Sequence, residues 1–228
     1  MKIIAIGDIH GCSRAFDALL EAIELQGEDR LITLGDYVDR GADSKGVLDR
    51  LVALSETGQL IPLLGNHELM MLEARTDAAT EQLWRDCGGE ATLQSYGKSG
   101  EAVSIADIPQ HHWNFLEDRC FNWYETDGHF FVHANADPHL PFDRQLSDLL
   151  FWKRFGYPEP HFSGKTMVCG HSSQKSGLPL NVGHAICIDT YAWGGSWLTA
   201  LEVTSGRVWQ AKNTAQIRRS QIDDFLRV

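Results

Sequence analysis

Three short polar segments of this 228-residue chain each follow an apolar run, and all three carry side chains that bind metal ions or phosphate. The central segment, residues 35–41 (GDYVDRG), places two carboxylates and a guanidinium between glycines. Residues 7–11 (GDIHG) precede it and residues 65–68 (GNHE) follow it. Asp-Arg-Gly alone is common turn chemistry. The presence of three such segments, each after an apolar run, indicates one shared site.

The residue types at these positions are those that bind divalent metals. Two histidines, His133 and His171, follow apolar runs later in the chain and extend the set. Carboxylates, imidazoles and one amide, with no cysteine, favour Mn, Fe, Zn, Co or Ni, whereas Ca and Mg sites prefer oxygen ligands. We interpret Asp36 as a carboxylate shared by two ions. The polar residues at the strand ends are Asp8, His10, Asp36, Asp39, Asn66, His67, His133 and His171.

A pair of divalent ions points to a particular reaction. Two ions about 3.5–4 Å apart acidify a bridging water and clamp the attacking and leaving oxygens of an in-line displacement at phosphorus. The departing alkoxide then needs a proton, and the phosphoryl oxygens need cations. His67 is a candidate for supplying the proton, with Asp39 holding its other ring nitrogen. Arg40 offers a planar fork for phosphate oxygens.

The apolar pattern predicts alternating strands and helices over the first 64 residues. Strands are predicted at 3–6, 30–34 and 60–64, and helices at 13–27 and 44–58. Asp36 lies 28 residues after Asp8, and Asn66 follows 30 residues later, about the length of one strand-helix-strand unit. Ligands of open α/β sheets gather at the carboxyl ends of the strands. We therefore expect these polar residues at one edge of a sheet.

The pattern changes after residue 72. Residues 73–120 are predicted to form an irregular helical insert, broken near 87–89 and without a chemical motif of its own. Later strands are predicted at 122–125, 129–132, 166–169, 185–188, 197–203 and 207–211, followed by an amphipathic tail at 212–228. Early alternation and late antiparallel pairs predict a mixed α/β fold with one mixed sheet or two packed sheets. We expect a single domain over residues 1–228.

Composition restricts the partners and the compartment. The net charge of −11 disfavours a nucleic-acid partner, which usually selects a basic surface. A phosphorylated substrate stays compatible, because bound cations reverse the local field. Five cysteines without a Cys-x-x-Cys pair suit free thiols in a reducing compartment, and Cys12 is read as a packing residue, with an oxidant-sensitive thiol as the alternative. Neither a secretory signal nor a membrane span is evident, which predicts a cytoplasmic protein with no membrane partner.

The three segments together resemble the signature motifs of the phosphoprotein phosphatase family, within the calcineurin-like metallophosphoesterases, and the layout is most similar to the compact lambda-type bacterial and phage enzymes. The resemblance implies a four-layer α-β-β-α sandwich with two mixed sheets flanked by helices. It also implies a binuclear centre, with Mn the expected ion in vitro. Asp8, His10 and Asp36 would hold the first ion, and Asp36, Asn66, His133 and His171 the second.

The resemblance implies further roles and carries two departures. His67 would be the general acid oriented by Asp39, and Arg40 a phosphate clamp. Residues 152–154 (WKR) resemble the Trp-x-Arg segment of the family, which makes Arg154 the second clamp. The usual His-Ala-Gly or His-Ala-Asp is His-Ala-Asn at 133–135, and the usual Gly-His-Thr is Gly-His-Ser at 170–172. Neither departure changes a metal ligand, although both alter loops near the substrate.

The leading prediction is a metal-dependent phosphomonoester hydrolase, a serine/threonine protein phosphatase that acts by in-line attack of a hydroxide bridging two metals. The alternative is a symmetrical bis(5'-nucleosyl)-tetraphosphate hydrolase. Enzymes of that type tend to lack the acid-positioning aspartate and to read Gly-Asn-His-Asp, whereas this chain has Asp39 and Glu68. A third hypothesis is an inactive phosphopeptide-binding scaffold. The expected partner is a phosphorylated protein or a small phosphoester, and the oligomeric state is left open.

Overall fold

The computed structural model describes residues 1–98 and 102–227, so residues 99–101 of the predicted insert and the last residue of the predicted tail lie outside the described residues. The helices are α1 (Ser13–Ile23), α2 (Ser44–Ser55), α3 (Asn66–Ala74), α4 (Ala78–Trp84), α5 (Glu90–Tyr96), α6 (Gln110–Asp118) and α7 (Ser147–Trp152), and a π-helical turn (Arg85–Gly89) joins α4 to α5. The strands are β1 (Ile3–Ile6), β2 (Arg30–Thr33), β3 (Leu60–Pro62), β4 (Trp123–Glu125), β5 (His129–Val132), β6 (Thr166–Cys169), β7 (Leu180–Asn181), β8 (Ala185–Cys187), β9 (Leu198–Glu202), β10 (Arg207–Ala211) and β11 (Ile217–Gln221).

The strands of residues 1–98 and 102–227 form two mixed sheets. One sheet has the order β11-β10-β9-β1-β2-β3 and the other has the order β4-β5-β6-β8-β7. In the first sheet β1, β2 and β3 are parallel, and β9 runs antiparallel to β1. In the second, β5, β6 and β8 are parallel, and β4 and β7 are antiparallel edge strands. Both sheets therefore present a set of parallel carboxyl ends, which is where the candidate ligands follow in the sequence.

Alternating side chains on the central strands separate the layers. Ile4 and Ile6 of β1 point into a core shared with α1 and α2, whereas Ala5 points into the core between the two sheets. That middle core also contains Phe131 and Val168 of the second sheet. A third cluster packs the outer face of the second sheet against α7 and its flanking loops. Three apolar cores between four layers confirm the predicted mixed α/β sandwich.

Several segments differ from the sequence-based prediction, which contains neither α7 nor β7. The tail contributes β11, which pairs with β10 along five residue positions from Arg207–Gln221 to Ala211–Ile217. Its sequence, IRRSQ, lacks the apolar alternation that predicts a strand. The segment is extended because it pairs with β10. Helix α1 ends at Ile23 rather than near Gly27, because Glu24 adopts a left-handed conformation (φ 51°) and its N–H bonds to Leu20 O.

The burial of the cysteines bears on the two readings of Cys12. Its side chain is 2% exposed, and burial raises its pKa to about 12. The thiolate, which is the reactive form, is therefore disfavoured at neutral pH. The packing interpretation fits this environment. None of the helices in the described residues has the length and apolar character that a membrane crossing demands.

A buried histidine fastens the insert to the first layer of helices. His112 of α6 is fully buried; its Nδ1 bonds to the Tyr96 hydroxyl (2.8 Å) and its Nε2 to Asp49 Oδ1 of α2 (3.0 Å). Burial, and then the charge of His111, lower the pKa of His112 to about 4, against an opposing effect of Asp49. An unfolded histidine takes a proton near pH 6.5. The folded ring stays neutral to lower pH, so the free energy of unfolding should decline as pH falls from about 6.5 to 4.

Urea unfolding at pH 7 and pH 5 measures this decline. We expect His112→Gln, which does not titrate, to lose less unfolding free energy between the two pH values than the wild type loses. His139→Gln is the control, because His139 is 79% exposed in its side chain and should leave the decline unchanged. Parallel declines in the wild type and His112→Gln would show that His112 does not carry this pH dependence.

Candidate functional site

Loops that follow the parallel strands meet at the carboxyl edge of the first sheet. Ile9 and His10 donate backbone N–H groups to Asp36 O (3.0 and 2.8 Å), which ties the loop after β1 to the loop after β2. Asp36 takes a left-handed conformation (φ 52°). A Cβ on Gly65 would collide with the backbone and carboxylate of Asp36, so a glycine is needed at the start of α3.

The Glu68 carboxylate holds the loops after β2 and β3 in place. Its carboxylate accepts backbone N–H groups from Asp36 (2.7 Å), Tyr37 (2.8 Å), Val38 (3.2 Å) and Gly65 (2.9 Å). Burial and the neighbouring charge of Asp36 raise the pKa of Glu68 to about 8, against the effect of these N–H groups. The glutamate of the GNHE segment thus supports the backbone that carries Asp36.

Two candidate histidine ligands are oriented by backbone carbonyls. His10 Nδ1 bonds to Val38 O (2.7 Å), and His133 Nδ1 bonds to Leu34 O (2.8 Å). An Nδ1–H donated to a carbonyl leaves Nε2 as the ring nitrogen with a lone pair, the arrangement usual for metal-binding histidines. Both Nε2 atoms face Asp36, which lies between them.

Asp36 connects two groups of potential ligand atoms. Its Oδ2 lies 3.3 Å from His10 Nε2 and its Oδ1 lies 3.4 Å from His133 Nε2. Asn66 Oδ1 lies 3.0 Å from both His133 Nε2 and His171 Nδ1. The ligand atoms of His10, Asp36 and His67 lie within 4.8 Å of one another, as do those of Asp36, His133 and His171.

Asp8 is close to this centre but is held differently. Both of its carboxylate oxygens accept the backbone N–H of His171, at 3.1 and 3.0 Å. Burial, and then the charges of Asp189 and Asp36, raise the pKa of Asp8 well above its ordinary value. A buried carboxylate among other carboxylates is costly unless a cation joins them.

The histidines affect Asp36 in the opposite direction. Burial alone would raise the pKa of Asp36, but His133, His67 and His10 lower it well below its ordinary value. For His171, burial and then His133 lower the pKa to about 4, which keeps the imidazole neutral. A neutral imidazole is the form that ligates metals.

This donor set fits divalent cations. Carboxylate oxygens, imidazole nitrogens and one amide oxygen converge from both sheets, and two of the rings are locked with Nε2 inward. The negative charge of Asp8 is repelled by its carboxylate neighbours, Asp189 and Asp36. Of the six predicted ligands, five supply atoms to the two groups around Asp36 and Asn66. Asp8 lies at their edge, against the backbone of His171.

His67 and Asp39, the two residues predicted to act together, are in direct contact. His67 Nδ1 lies 2.6 Å from Asp39 Oδ2, and both residues are buried. Donation of Nδ1–H to the carboxylate leaves Nε2 for the substrate side, where His67 lines a cleft of about 580 Å³ together with Asp36 and Asn66. The ring is thus held in one orientation, with Nδ1–H on Asp39 in both the neutral and the imidazolium form.

Cations and aromatic rings surround the cleft. Arg40 and Arg154, the two predicted clamps, both line it, as do three residues that the sequence did not single out: Lys175, Tyr191 and Trp193. Arg40 donates to His10 Nε2 (2.8 Å) and its guanidinium carbon lies 5.1 Å from the Trp193 ring centroid. The sequence feature closest to Tyr191 and Trp193 was the predicted strand end at Asp189. The structure places Asp189 beside Asp8.

The insert also reaches the site, contrary to its lack of any motif. Trp84 Nε1 bonds to both oxygens of Asp39 (3.0 Å each), and Thr92 Oγ1 bonds to Asp39 Oδ1 (2.7 Å). These residues are 45 and 53 positions away from Asp39 in the sequence. Only the folded chain brings them together.

Known proteins resemble this chain along most of its length. The family model for calcineurin-like phosphoesterases matches residues 1–192. The symmetrical bis(5'-nucleosyl)-tetraphosphatase of Acidovorax sp. strain JS42 is 45% identical over 75 residues, 32% of this chain and 26% of the relative. Serine/threonine-protein phosphatase 1 of Salmonella typhimurium strain LT2 is 40% identical over 132 residues, which are 57% of each chain. This chain thus spans from about a quarter to a little over half of these two relatives.

The fold comparison agrees with the family match. The crystal structure of a candidate diadenosine tetraphosphatase superposes with a TM-score of 0.65 and 22% identity, covering 96% of this chain and 93% of the other. At that identity the likeness concerns the fold, which is the two-sheet sandwich described above. The family match over 192 residues carries the assignment, and the convergent ligand set is consistent with it. The chain belongs to the calcineurin-like phosphoesterase family.

Proposed function

We propose that the chain is a metal-dependent phosphomonoester hydrolase, with phosphoserine or phosphothreonine of proteins as the leading substrate class. The observation that supports it most directly is the 2.6 Å contact between His67 Nδ1 and Asp39 Oδ2 at the cleft. The alkoxide of serine is a strongly basic leaving group and requires a proton as the P–O bond breaks. A nucleotide leaves through a weakly basic phosphate oxygen and needs that proton less.

Two divalent ions would be held by the six ligands predicted from the sequence, with Mn as the expected ion in vitro and Fe, Zn, Co or Ni as alternatives. Asp8, His10 and Asp36 would bind one ion, and Asp36, Asn66, His133 and His171 the other. When bound, such a pair acidifies water and offsets the charge that develops on the phosphoryl oxygens.

The side chains of the chain itself perform the remaining tasks. Asp39 holds Nδ1–H of His67, and His67 Nε2 protonates the departing oxygen. Arg40 and Arg154, both at the cleft, bind the phosphoryl oxygens through N–H groups in a planar fork. The substrate therefore contacts two guanidinium groups and the acid, all of which line the same cleft.

A second candidate is the symmetrical tetraphosphate hydrolysis named for several relatives. Its specific support is the cleft wall, where Lys175 lies 5.8 Å from the Tyr191 ring and Trp193 is 36% exposed. Additional cations suit additional phosphates, and accessible rings suit nucleobases. Glu68, where tetraphosphate hydrolases tend to have aspartate, does little to distinguish the two candidate functions. Its carboxylate binds backbone N–H groups. An inactive phosphopeptide scaffold is the third candidate, and the complete ligand set counts against it.

The kcat/KM values for a phosphoserine peptide and for diadenosine tetraphosphate, measured with Mn, separate these functions. We expect the peptide to be preferred by at least about tenfold, a difference of about 1.4 kcal/mol in transition-state binding. A preference for the tetraphosphate would replace the leading candidate by the second. Tight peptide binding with no turnover of either substrate would favour the scaffold.

A further inference from the structure

We propose that residues 73–98 of the helical insert are a functional part of the active site. Trp84 and Thr92 act as positioning residues: they hold Asp39, and through Asp39 they hold His67 in the orientation that protonates the leaving group. This role rests on the acid function proposed for His67. It assigns a task to a segment whose sequence carries no recognisable chemical motif.

The first argument is the geometry around the Asp39 carboxylate, which is completely buried. Trp84 Nε1 lies 3.0 Å from both oxygens, and Thr92 Oγ1 lies 2.7 Å from Oδ1. His67 Nδ1 takes the remaining direction at Oδ2, at 2.6 Å. Hydrogen bonds to a charged acceptor are the strong ones, and three donors from three directions prevent the carboxylate from turning. A fixed carboxylate fixes the ring that it binds.

The second argument is the backbone beneath that carboxylate. Asp39 and Arg40 are consecutive left-handed residues, with φ of 73° and 69°. Such conformations are strained for residues other than glycine and persist only when the surrounding structure holds them. The insert supplies that support: Asp39 N–H donates to Thr92 Oγ1 (2.7 Å), and Arg40 N–H donates to Gly88 O (3.1 Å). The hydroxyl of Thr92 therefore binds both the backbone and the side chain of Asp39.

The third argument is the π-helical turn between α4 and α5. Residues eight apart in a continuous α-helix point about 80° away from each other around its axis. The turn interrupts the helix at Gly88 (φ 121°), and Trp84 and Thr92 both reach the same carboxylate. A Cβ at Gly88 would lie 2.8 Å from Arg40 Cγ, so the glycine permits this close approach.

A purely structural role for Trp84 is the alternative, because a buried indole N–H usually finds an acceptor. Trp84→Phe removes the N–H and keeps an aromatic ring. Trp113→Phe is the matched control: Trp113 belongs to the same insert, is 2% exposed and donates Nε1–H to Ile108 O (3.2 Å), away from the cleft. Both variants are assayed with p-nitrophenyl phosphate and phenyl phosphate, which differ in the basicity of the leaving group.

We expect Trp84→Phe to lower kcat on phenyl phosphate by about tenfold, the equivalent of one hydrogen bond to a charged group of about 1.5 kcal/mol. Its effect on p-nitrophenyl phosphate should be several-fold smaller, with KM for both substrates unchanged. Trp113→Phe should affect both substrates equally. Thr92→Val should behave like Trp84→Phe, and Thr92→Ser, which keeps the hydroxyl, should restore the wild-type ratio of the two rates.

Placing Trp84→Phe in a His67→Asn background provides the last comparison. If Trp84 acts through His67, Trp84→Phe should lower the rate little further once His67→Asn is present, because substitutions within one hydrogen-bond network do not have additive effects. Equal losses on both substrates, matching those of Trp113→Phe, would show that Trp84 only packs. If His67→Asn itself shows no dependence on the leaving group, the proposed acid function fails and the positioning role falls with it. A Trp84→Phe effect confined to KM would also overturn the positioning role.

Discussion

Asp36→Asn is expected to abolish metal-dependent turnover of p-nitrophenyl phosphate while the fold persists. Asp36 presents Oδ2 to His10 and Oδ1 to His133, at 3.3 and 3.4 Å, so one carboxylate faces both groups of ligand atoms. Asparagine keeps one oxygen and replaces the other by an amide NH₂, which points positive charge at one of the two cations. Loss of a group that merely supports a ligand already costs about 10–100-fold in metal affinity or activity. Loss of a shared ligand should exceed that range.

Calorimetric titration with Mn and turnover measured across Mn concentrations test this expectation together. Asp17→Asn is the control, because Asp17 forms a surface pair with Arg50 at 2.7 Å, away from the cleft. Circular dichroism should show the same secondary structure for both variants. If Asp36→Asn keeps activity within about tenfold of the wild type, less than a supporting group can cost, then Asp36 is not the shared ligand.

The sequence predicted that the candidate ligands lie close together, and this proximity has a physical reason. Each candidate ligand follows a parallel strand or starts a helix just after one, and parallel strands deliver their carboxyl ends to the same edge. Residue type and position along the chain were therefore enough to predict that these side chains meet at one edge. His133 and His171 come from the second sheet, and the apolar runs β5 and β6 that precede them were strong enough to place both.

The support for these ligands could not be predicted in the same way. Trp84 and Thr92 look like ordinary core residues of helices, and only their tertiary contacts with Asp39 reveal another task. Glu68 belongs to a recognisable segment, but its four contacts to backbone N–H groups depend on the left-handed backbone at Asp36. Strand β11 is ordered by its neighbour rather than by its own polar sequence. Periodicity reports local structure, whereas these features depend on how distant segments meet.

His67→Asn is expected to produce a loss that depends on the leaving group. His67 Nδ1 is bound to Asp39 at 2.6 Å, so the ring presents Nε2 to the substrate, and in the imidazolium form Nε2 carries the proton that is transferred. Asparagine retains a polar group of smaller size and cannot transfer a proton. General acid catalysis contributes about 10²–10⁴-fold. We expect a loss in this range for phenyl phosphate and a much smaller loss for p-nitrophenyl phosphate, whose leaving group departs without protonation.

His161→Asn separates this effect from general damage. His161 is also buried, but it bonds to Ser163 Oγ (2.8 Å) and Leu140 O (3.0 Å), and it packs against Phe142 outside the cleft. Its replacement should change the rates of both substrates by the same factor. Equal losses on the two substrates in His67→Asn would remove the acid role. In that case the phosphomonoester preference would lose its main support, because the acid pair is what a basic leaving group requires and a phosphate leaving group does not.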